Sequence, residues 1–297
     1  MTTLSFRSFM KEHKVMVETE LVKQVERLSA PQRLKDSMIY SLEAGGKRIR
    51  PLLVFAVLDA FNKSTKIGLQ AACSIEMIHT YSLIHDDLPA MDDDDIRRGK
   101  PTNHIVFGEA NAILAGDALL TQSFSILTQM EDSSVTAEQK LAVIKEISQC
   151  AGAEGMVGGQ TADMQAEGKQ ISLEQLEYIH EHKTGKLLTC SVLTGAILAG
   201  ANEEQKAALT SFSRHLGLAF QIRDDILDIE GNEETIGKPV GSDISNHKNT
   251  YPSLLTLKGA KEKLRAEINK AISSLKSLNL KDEQLMSITN LVASRNN

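Results

Sequence analysis

Ten residues, 86 to 95, hold six aspartates in the run His85-Asp86-Asp87-Leu88-Pro89-Ala90-Met91-Asp92-Asp93-Asp94-Asp95. Two unit charges about 4 Å apart repel by about 4 kcal/mol at an effective dielectric near 20, so a folded chain that crowds them needs a cation. One such run, alone, reads as a solvated acidic loop. A second cluster, Asp224-Asp225-Ile226-Leu227-Asp228, stands in the other half of the chain, and the recurrence points to a metal. Carboxylates without cysteine select a hard ion, Mg²⁺ or Mn²⁺, which keeps waters and is shared between one or two carboxylates and a substrate phosphate.

Spacing says which side chains can act together. Asp224 and Asp228 are one helical turn apart on one face, with Gln221 on the same stripe. Asp86 and Asp92 are six residues apart, about 240° around a regular helix, and cannot share a face unless the helix ends between them. Pro89 supplies the break, since it cannot donate to the carbonyl of residue 85, and the chain beyond it can bring Asp92 back beside Asp86. Asp93, Asp94 and Asp95 are expected to face solvent or to pair with Arg97 and Arg98. Tyr81 lies about 7.5 Å before Asp86 along a helix axis, about 140° away around the wheel, and Ser82 only about 40° away. Either lines the floor of a cavity or is ordinary core.

The cations are grouped too. Gly45-Gly46-Lys47-Arg48-Ile49-Arg50-Pro51 sets three charges on a glycine turn, with Pro51 suited to the first turn of a helix, the makings of an anion site. Arg97-Arg98-Gly99-Lys100 follows the first acidic run and offers guanidinium forks to a polyphosphate. His79, seven residues before Asp86, falls near the same face as that aspartate. Further on come His182-Lys183-Thr184-Gly185-Lys186, Lys238, and Lys248-Asn249-Thr250-Tyr251-Pro252, with Gln160 and Asp163 as polar groups that either hold a lysine such as Lys183 or face water. Each of these is weak alone. No nucleophile elbow, zinc-binding His-Glu-x-x-His, Walker loop or dinucleotide fingerprint is present. Two carboxylate clusters with two basic sites fit the joining of two phosphorylated apolar substrates, driven by departure of diphosphate.

Helical periodicity supplies the elements that position these groups: Phe6 to Leu28, Leu34 to Leu42, Leu52 to Phe61, Ile67 to Leu88, Asn111 to Met130, Ala137 to Ala166, Leu173 to Ala199, Glu203 to Ile229, Ser253 to Leu278 and Lys281 to Ala293. No stretch alternates strictly enough for a strand. The expected class is all-α, about ten long helices around a central cavity, with both acidic clusters ending long apolar helices. The 297 residues show no linker and no composition shift, so a single domain over 1–297 is expected. A net charge of −6 argues against nucleic-acid partners. Cys73, Cys150 and Cys190 are far apart in apolar surroundings and read as reduced core thiols of a cytoplasmic protein. The N-terminus lacks the apolar core of a signal peptide, and Leu187 to Ala201 is too short and too interrupted to span a membrane.

Together these motifs resemble the trans-prenyltransferases, the all-E isoprenyl diphosphate synthases, and their bacterial farnesyl-forming members most closely. The resemblance runs through Gly45 to Pro51, Glu76 to Arg98, Thr102-Asn103-His104, Gly159-Gln160, Lys183-Thr184-Gly185, Gln221 with the second Asp-rich motif, and Lys248 to Pro252. It implies the isoprenoid synthase fold, a homodimer, and about three Mg²⁺ ions on Asp86, Asp92 and Asp224 with Asp228 in support. Asp87 and Asp225 would be secondary. Lys47, Arg50, His79 and Arg98 would bind isopentenyl diphosphate, which carries no metal. Arg97, Lys183, Thr184, Gln221, Lys238 and Lys248 would bind the allylic diphosphate, with Asp86, Asp92, Asp224 and Lys183 at the centre of catalysis. An aromatic five residues before the first motif, here Tyr81, would limit the product to fifteen carbons. A tail that closes over the site is in doubt, since only Arg295 stands before the last two residues. A geranylgeranyl-forming synthase and a class I terpene cyclase are the alternative readings, the cyclase needing no second diphosphate site.

Overall fold

The computed structural model describes residues 5–130, 132–230 and 249–294. The fold is all-α, and the chain divides into two compact units, Met1–Phe55 with Thr65–Ile144 and Ala56–Ser64 with Lys145–Asn297.

In the first unit, α1 (Phe6–Glu26) turns Phe9, His13, Val17, Leu21 and Val25 inward at four-residue steps, and Ser5 caps its first turn. Next come α2 (Gln32–Leu42), begun by Pro31, and α3 (Ile49–Ala60), whose residues from Ala56 on are counted with the second unit. The helix α4 (Leu69–Asp86) is buried almost all round from Ala71 to Ile78, and each fully buried Ile or Met there contributes about 1.5–3 kcal/mol. A short α5 (Asn103–Phe107) leads into α6 (Glu109–Thr128), whose small residues Ala112, Ala115 and Gly116 let it lie close against α4.

The second unit holds α8 (Met156–Ala166), α9 (Leu173–His180), α10 (Lys186–Ala199), α11 (Glu203–Glu230), α12 (Tyr251–Lys276) and α13 (Glu283–Ser294), with α11 and α12 packed along each other. Here α7 (Ala137–Ala151) and α8 replace the single helix expected over Ala137 to Ala166. The break falls where a Cβ on Gly155 would overlap the Cys150 carbonyl. The expected Leu173 to Ala199 helix is likewise interrupted, by a π-helical turn over Glu181–Gly185 between α9 and α10. Gly200 ends α10 at φ 77°, where glycine carries no Cβ penalty.

One strand pair was not expected: β1 (Ile96–Arg97) and β2 (Lys100–Pro101) form a minimal antiparallel hairpin. Two residues per strand are too few to show alternation. The turn residues Arg98 and Gly99, at φ 54° and 73°, make it. Cys73, Cys150 and Cys190 are buried thiols. Among the described residues no helix is long and apolar enough to cross a membrane.

Candidate functional site

In the first unit α4 stops at Asp86, and the chain folds back at Pro89. The Met91 and Asp93 N–H groups donate to the Leu88 carbonyl, and the Asp92 N–H donates to the Asp86 carbonyl at 2.8 Å. The backbones of Asp86 and Asp92 thereby meet just past the end of the helix, which a continuous helix would not allow. Asp93 and Asp95 are exposed. Asp87 points the other way: it is buried and accepts from both Nε and Nη2 of Arg97 at 2.6 Å. Burial works against the Arg97 charge, but the bond to Asp87 and the fields of Asp87, Asp94 and Asp86 outweigh it and raise its pKa.

The β1–β2 hairpin aims its two arginines differently. Arg97 meets Asp87, whereas Arg98 Nη1 donates to the Gly45 carbonyl. A Cβ on Gly46 would stand 2.8 Å from Arg98 Nη1, so the glycine turn is what admits the guanidinium. His79, half-buried on α4, has its pKa held well below the ordinary value by burial and then by Arg50 and Arg98, so it is neutral at pH 7. Lys47 and Arg50 are half-buried beside this group. Arg48 leaves it. At φ 51° its side chain turns inward to Glu76 at 2.7 Å, Glu18 at 3.2 Å and the Leu42 carbonyl. The turn therefore presents two of its three cations, and the third is a buried ion pair whose breakage costs about 3–5 kcal/mol.

Other residues of the first unit fix the hairpin. Asn103 accepts from Ser37 Oγ and donates to the Ser37 carbonyl and Ser41 Oγ, all within 2.9 Å, and the Tyr40 hydroxyl donates to the Pro101 carbonyl. Asn103 belongs to a motif that carries the family resemblance, whereas only their polarity marks Ser37, Tyr40 and Ser41 in the sequence. Tyr81 is buried, and burial followed by the charge of Asp86 raises its pKa, so phenol and carboxylate share one neighbourhood. Ser82 Oγ donates to the His79 carbonyl.

In the second unit α11 continues without a break through the acidic motif, so Gln221, Asp224 and Asp228, all half-buried, keep the shared stripe that their spacing sets. Asp225 turns inward and accepts the Tyr251 N–H at 2.8 Å, placing its charge at the N-terminus of α12 beside a Thr250–Ser253 capping box. Lys183 lies on the π turn with its ammonium 2.6 Å from Asp163 Oδ2, one of the two partners the sequence offers it. The other, Gln160, has its amide oxygen buried without a hydrogen-bond partner. A Cβ on Gly159 would stand 2.6 Å from Lys183 Cα, and one on Gly217 would stand 3.1 Å from Gly185 Cα, so bare backbone touches bare backbone on both sides of the turn. Thr184 is half-buried next to Lys183. Burial lowers the His180 pKa to about 4, with Asp163 opposing and Lys183 adding to the effect. Lys238, Lys248 and Arg295 lie outside the described residues.

Among the described residues no three acidic, histidine or cysteine side chains converge on one metal-sized gap.

Residues 31–289 match the model of the polyprenyl synthetase family, and the chain belongs to that family. It is 57% identical over 295 residues to a farnesyl diphosphate synthase of Geobacillus stearothermophilus, with 99% of each chain covered. It is 56% identical over 293 residues to a farnesyl diphosphate synthase of Bacillus subtilis, again with 99% of each covered. Its fold is similar to the crystal structure of an FPP/GFPP synthase from Zymomonas mobilis, with a TM-score of 0.86 at 34% identity over 97% of this chain and 99% of that one.

Proposed function

We infer that the chain is a prenyltransferase that condenses isopentenyl diphosphate with dimethylallyl and then geranyl diphosphate to give farnesyl diphosphate. The observation that carries this reading is the fold-back that hangs Asp92 on Asp86, in the same unit as the grouped Arg50, Arg98 and neutral His79. A cyclase has no use for that second, metal-free cationic group.

Asp86, Asp92 and Asp224, supported by Asp228, hold Mg²⁺, about three ions with Mn²⁺ as a substitute. When bound, the metal neutralises charge that builds on the departing allylic diphosphate. Lys47, Arg50, His79 and Arg98 grip isopentenyl diphosphate. Arg97 gives Nε and one Nη to Asp87 and lies 3.6 Å from Asp94, and its other Nη offers donors to the allylic diphosphate. Lys183, with three donors and Asp163 taking one, joins it with Thr184, Gln221, Lys238 and Lys248. Once the allylic carbon–oxygen bond breaks, the isopentenyl double bond adds to the cation, and the resulting tertiary cation loses a proton to the released diphosphate. No side-chain base is needed.

The test is incubation with Mg²⁺, radiolabelled isopentenyl diphosphate and each allylic starter, followed by chromatography of the dephosphorylated alcohols. A fifteen-carbon product is expected, and a cyclised hydrocarbon formed without isopentenyl diphosphate would sink the reading. A geranylgeranyl-forming synthase is disfavoured by Tyr81, buried beside Asp86. Tyr81→Ala is accordingly expected to lengthen the product, and a folded, active variant that still stops at fifteen carbons removes Tyr81 from that role. The chain is taken as one synthase domain over 1–297 in the cytoplasm, acting as a homodimer. The exposed Ile105, Val106, Ile113 and Leu114 on α5 and α6 support the dimer, and light scattering at twice the chain mass checks it.

A further inference from the structure

His85 precedes the first motif aspartate and has no part in the roles assigned above. Its ring lies over the backbone of Gly116 on α6. A Cβ at that position would overlap Nε2 and stand 2.5 Å from Cδ2 and 2.9 Å from Cε1. His85 Nε2 is 3.1 Å from the Ile113 carbonyl oxygen. Because a carbonyl only accepts, this contact puts the ring proton on Nε2 and makes the imidazole the donor. Asp117 Oδ1 is 4.0 Å from the same nitrogen, and Tyr81, one turn earlier on α4, meets the ring edge-on at 5.7 Å between centroids.

Glycine within a helix is less favourable than alanine, so helix propensity gives no reason for Gly116 in the middle of α6. Its neighbours Ala112 and Ala115 are small and buried on the same helix, yet they are not glycine. What residue 116 provides is the space that the imidazole fills. The next residue in the chain is Asp86, and the Asp92 N–H hangs on the Asp86 carbonyl, so any rotation of the last α4 turn carries both carboxylates with it.

We propose that His85 is a positioning residue for the first acidic motif, and that the absence of a side chain at Gly116 is the seat that holds its ring. The inference rests on the reading of Asp86 and Asp92 as ligands of a Mg²⁺–diphosphate complex. Partners that orient metal ligands typically change metal affinity by about 10–100-fold when removed.

The experiment compares His85→Ala, His85→Gln, Gly116→Ala and the double variant His85→Ala/Gly116→Ala with the parent chain. Calorimetric titration of Mg²⁺ in the presence of inorganic diphosphate is expected to weaken by about tenfold or more in His85→Ala and in Gly116→Ala. The KM for isopentenyl diphosphate should stay within about twofold, a split that general loss of structure would not produce. His85→Gln keeps a donor that reaches the Ile113 carbonyl and should recover most of the affinity. Melting of the metal-free chain supplies the second arm. Gly116→Ala should melt below the parent although alanine is the better helix former, and the double variant should melt no lower than His85→Ala, because without the ring there is nothing for the new methyl to strike. Unchanged Mg²⁺ affinity in both single variants, or additive melting losses in the double variant, overturns the proposal. A parent chain that makes no farnesyl diphosphate sinks the functional reading instead, while the titration and melting arms still read the seat of His85.

Discussion

The two acidic motifs solve one geometric problem in opposite ways. In the first unit the helix is broken at Pro89 so that Asp92 can return to Asp86; in the second, α11 runs on and the four-residue step alone aligns Asp224 with Asp228. Each motif also turns its second aspartate inward. Asp87 grips the Arg97 guanidinium, and Asp225 caps the first N–H of α12. The lesson is that a run of like charges need not be a run of like roles. In both motifs one carboxylate is a strut, and the strut is buried while Asp86, Asp92, Asp224 and Asp228 are only half-buried.

The comparison breaks most sharply if the outer aspartates are not equivalent. Asp86→Ala and Asp224→Ala should each lower turnover by about a thousandfold, the effect of several kcal/mol of lost transition-state stabilisation, with helical circular dichroism unchanged. Near-parental turnover in either variant removes that motif from the metal site. A second asymmetry follows from the cations. Arg50→Ala and Lys47→Ala should raise the KM for isopentenyl diphosphate by about tenfold or more, and that for the allylic substrate far less, as steady-state kinetics with each substrate varied will show. Equal shifts for both substrates contradict two separate diphosphate sites.

The struts differ in what they hold. Asp87→Ala leaves the largely buried Arg97 without its main partner and should cost about 3 kcal/mol in chemical denaturation. Asp225→Ala loses one backbone hydrogen bond and a helix-terminus charge, about 1–2 kcal/mol, and Asp225→Asn should restore part of it because the amide oxygen still accepts. An Asp225 effect that exceeds the Asp87 effect reverses the ranking.

The smallest effect concerns the histidines. His79 is held neutral by burial and by Arg50 and Arg98, and His180 by burial, with Asp163 opposing. The folded His180 pKa of about 4 lies below the ordinary 6.5, so the unfolded chain takes up its proton first as pH falls. The contribution of a neutral His180 is complete above about pH 6.5 and is lost as pH drops toward 4. At pH 5.5 the loss is about 1 kcal/mol, and it should vanish in His180→Gln if the two proteins are compared by melting at pH 7.5 and 5.5.

Much of this was legible in the chain. The helices were, because apolar residues recur at three and four, and the geometry of Gln221, Asp224 and Asp228 was, because it needs only an unbroken helix. Pro89 announced the first fold-back. The destination of Arg48 could not be read, because Glu18 and Glu76 reach it from distant segments, and local sequence marks it only as one cation among three. The inward turns of Asp87 and Asp225 depend in the same way on Arg97 and Tyr251. The hairpin at Ile96–Pro101 was too short to leave a period, and the breaks at Gly155 and at the π turn lie inside stretches whose apolar spacing reads as continuous helix.

The bare backbone contacts around the π turn carry a consequence for how this chain tolerates change. At Gly159 the obstacle to any side chain is the main chain of Lys183, and at Gly217 it is the Cα of Gly185, neither of which can swing aside as a side-chain tip can. A library holding every substitution at every position should therefore find Gly159 closed even to alanine, and Gly217 open to nothing larger. Exposed Asp93 and Asp95, for all their prominence in the acidic run, should accept most replacements. Two positions that bear no chemistry at all are then less open to variation than the most conspicuous charges in the chain.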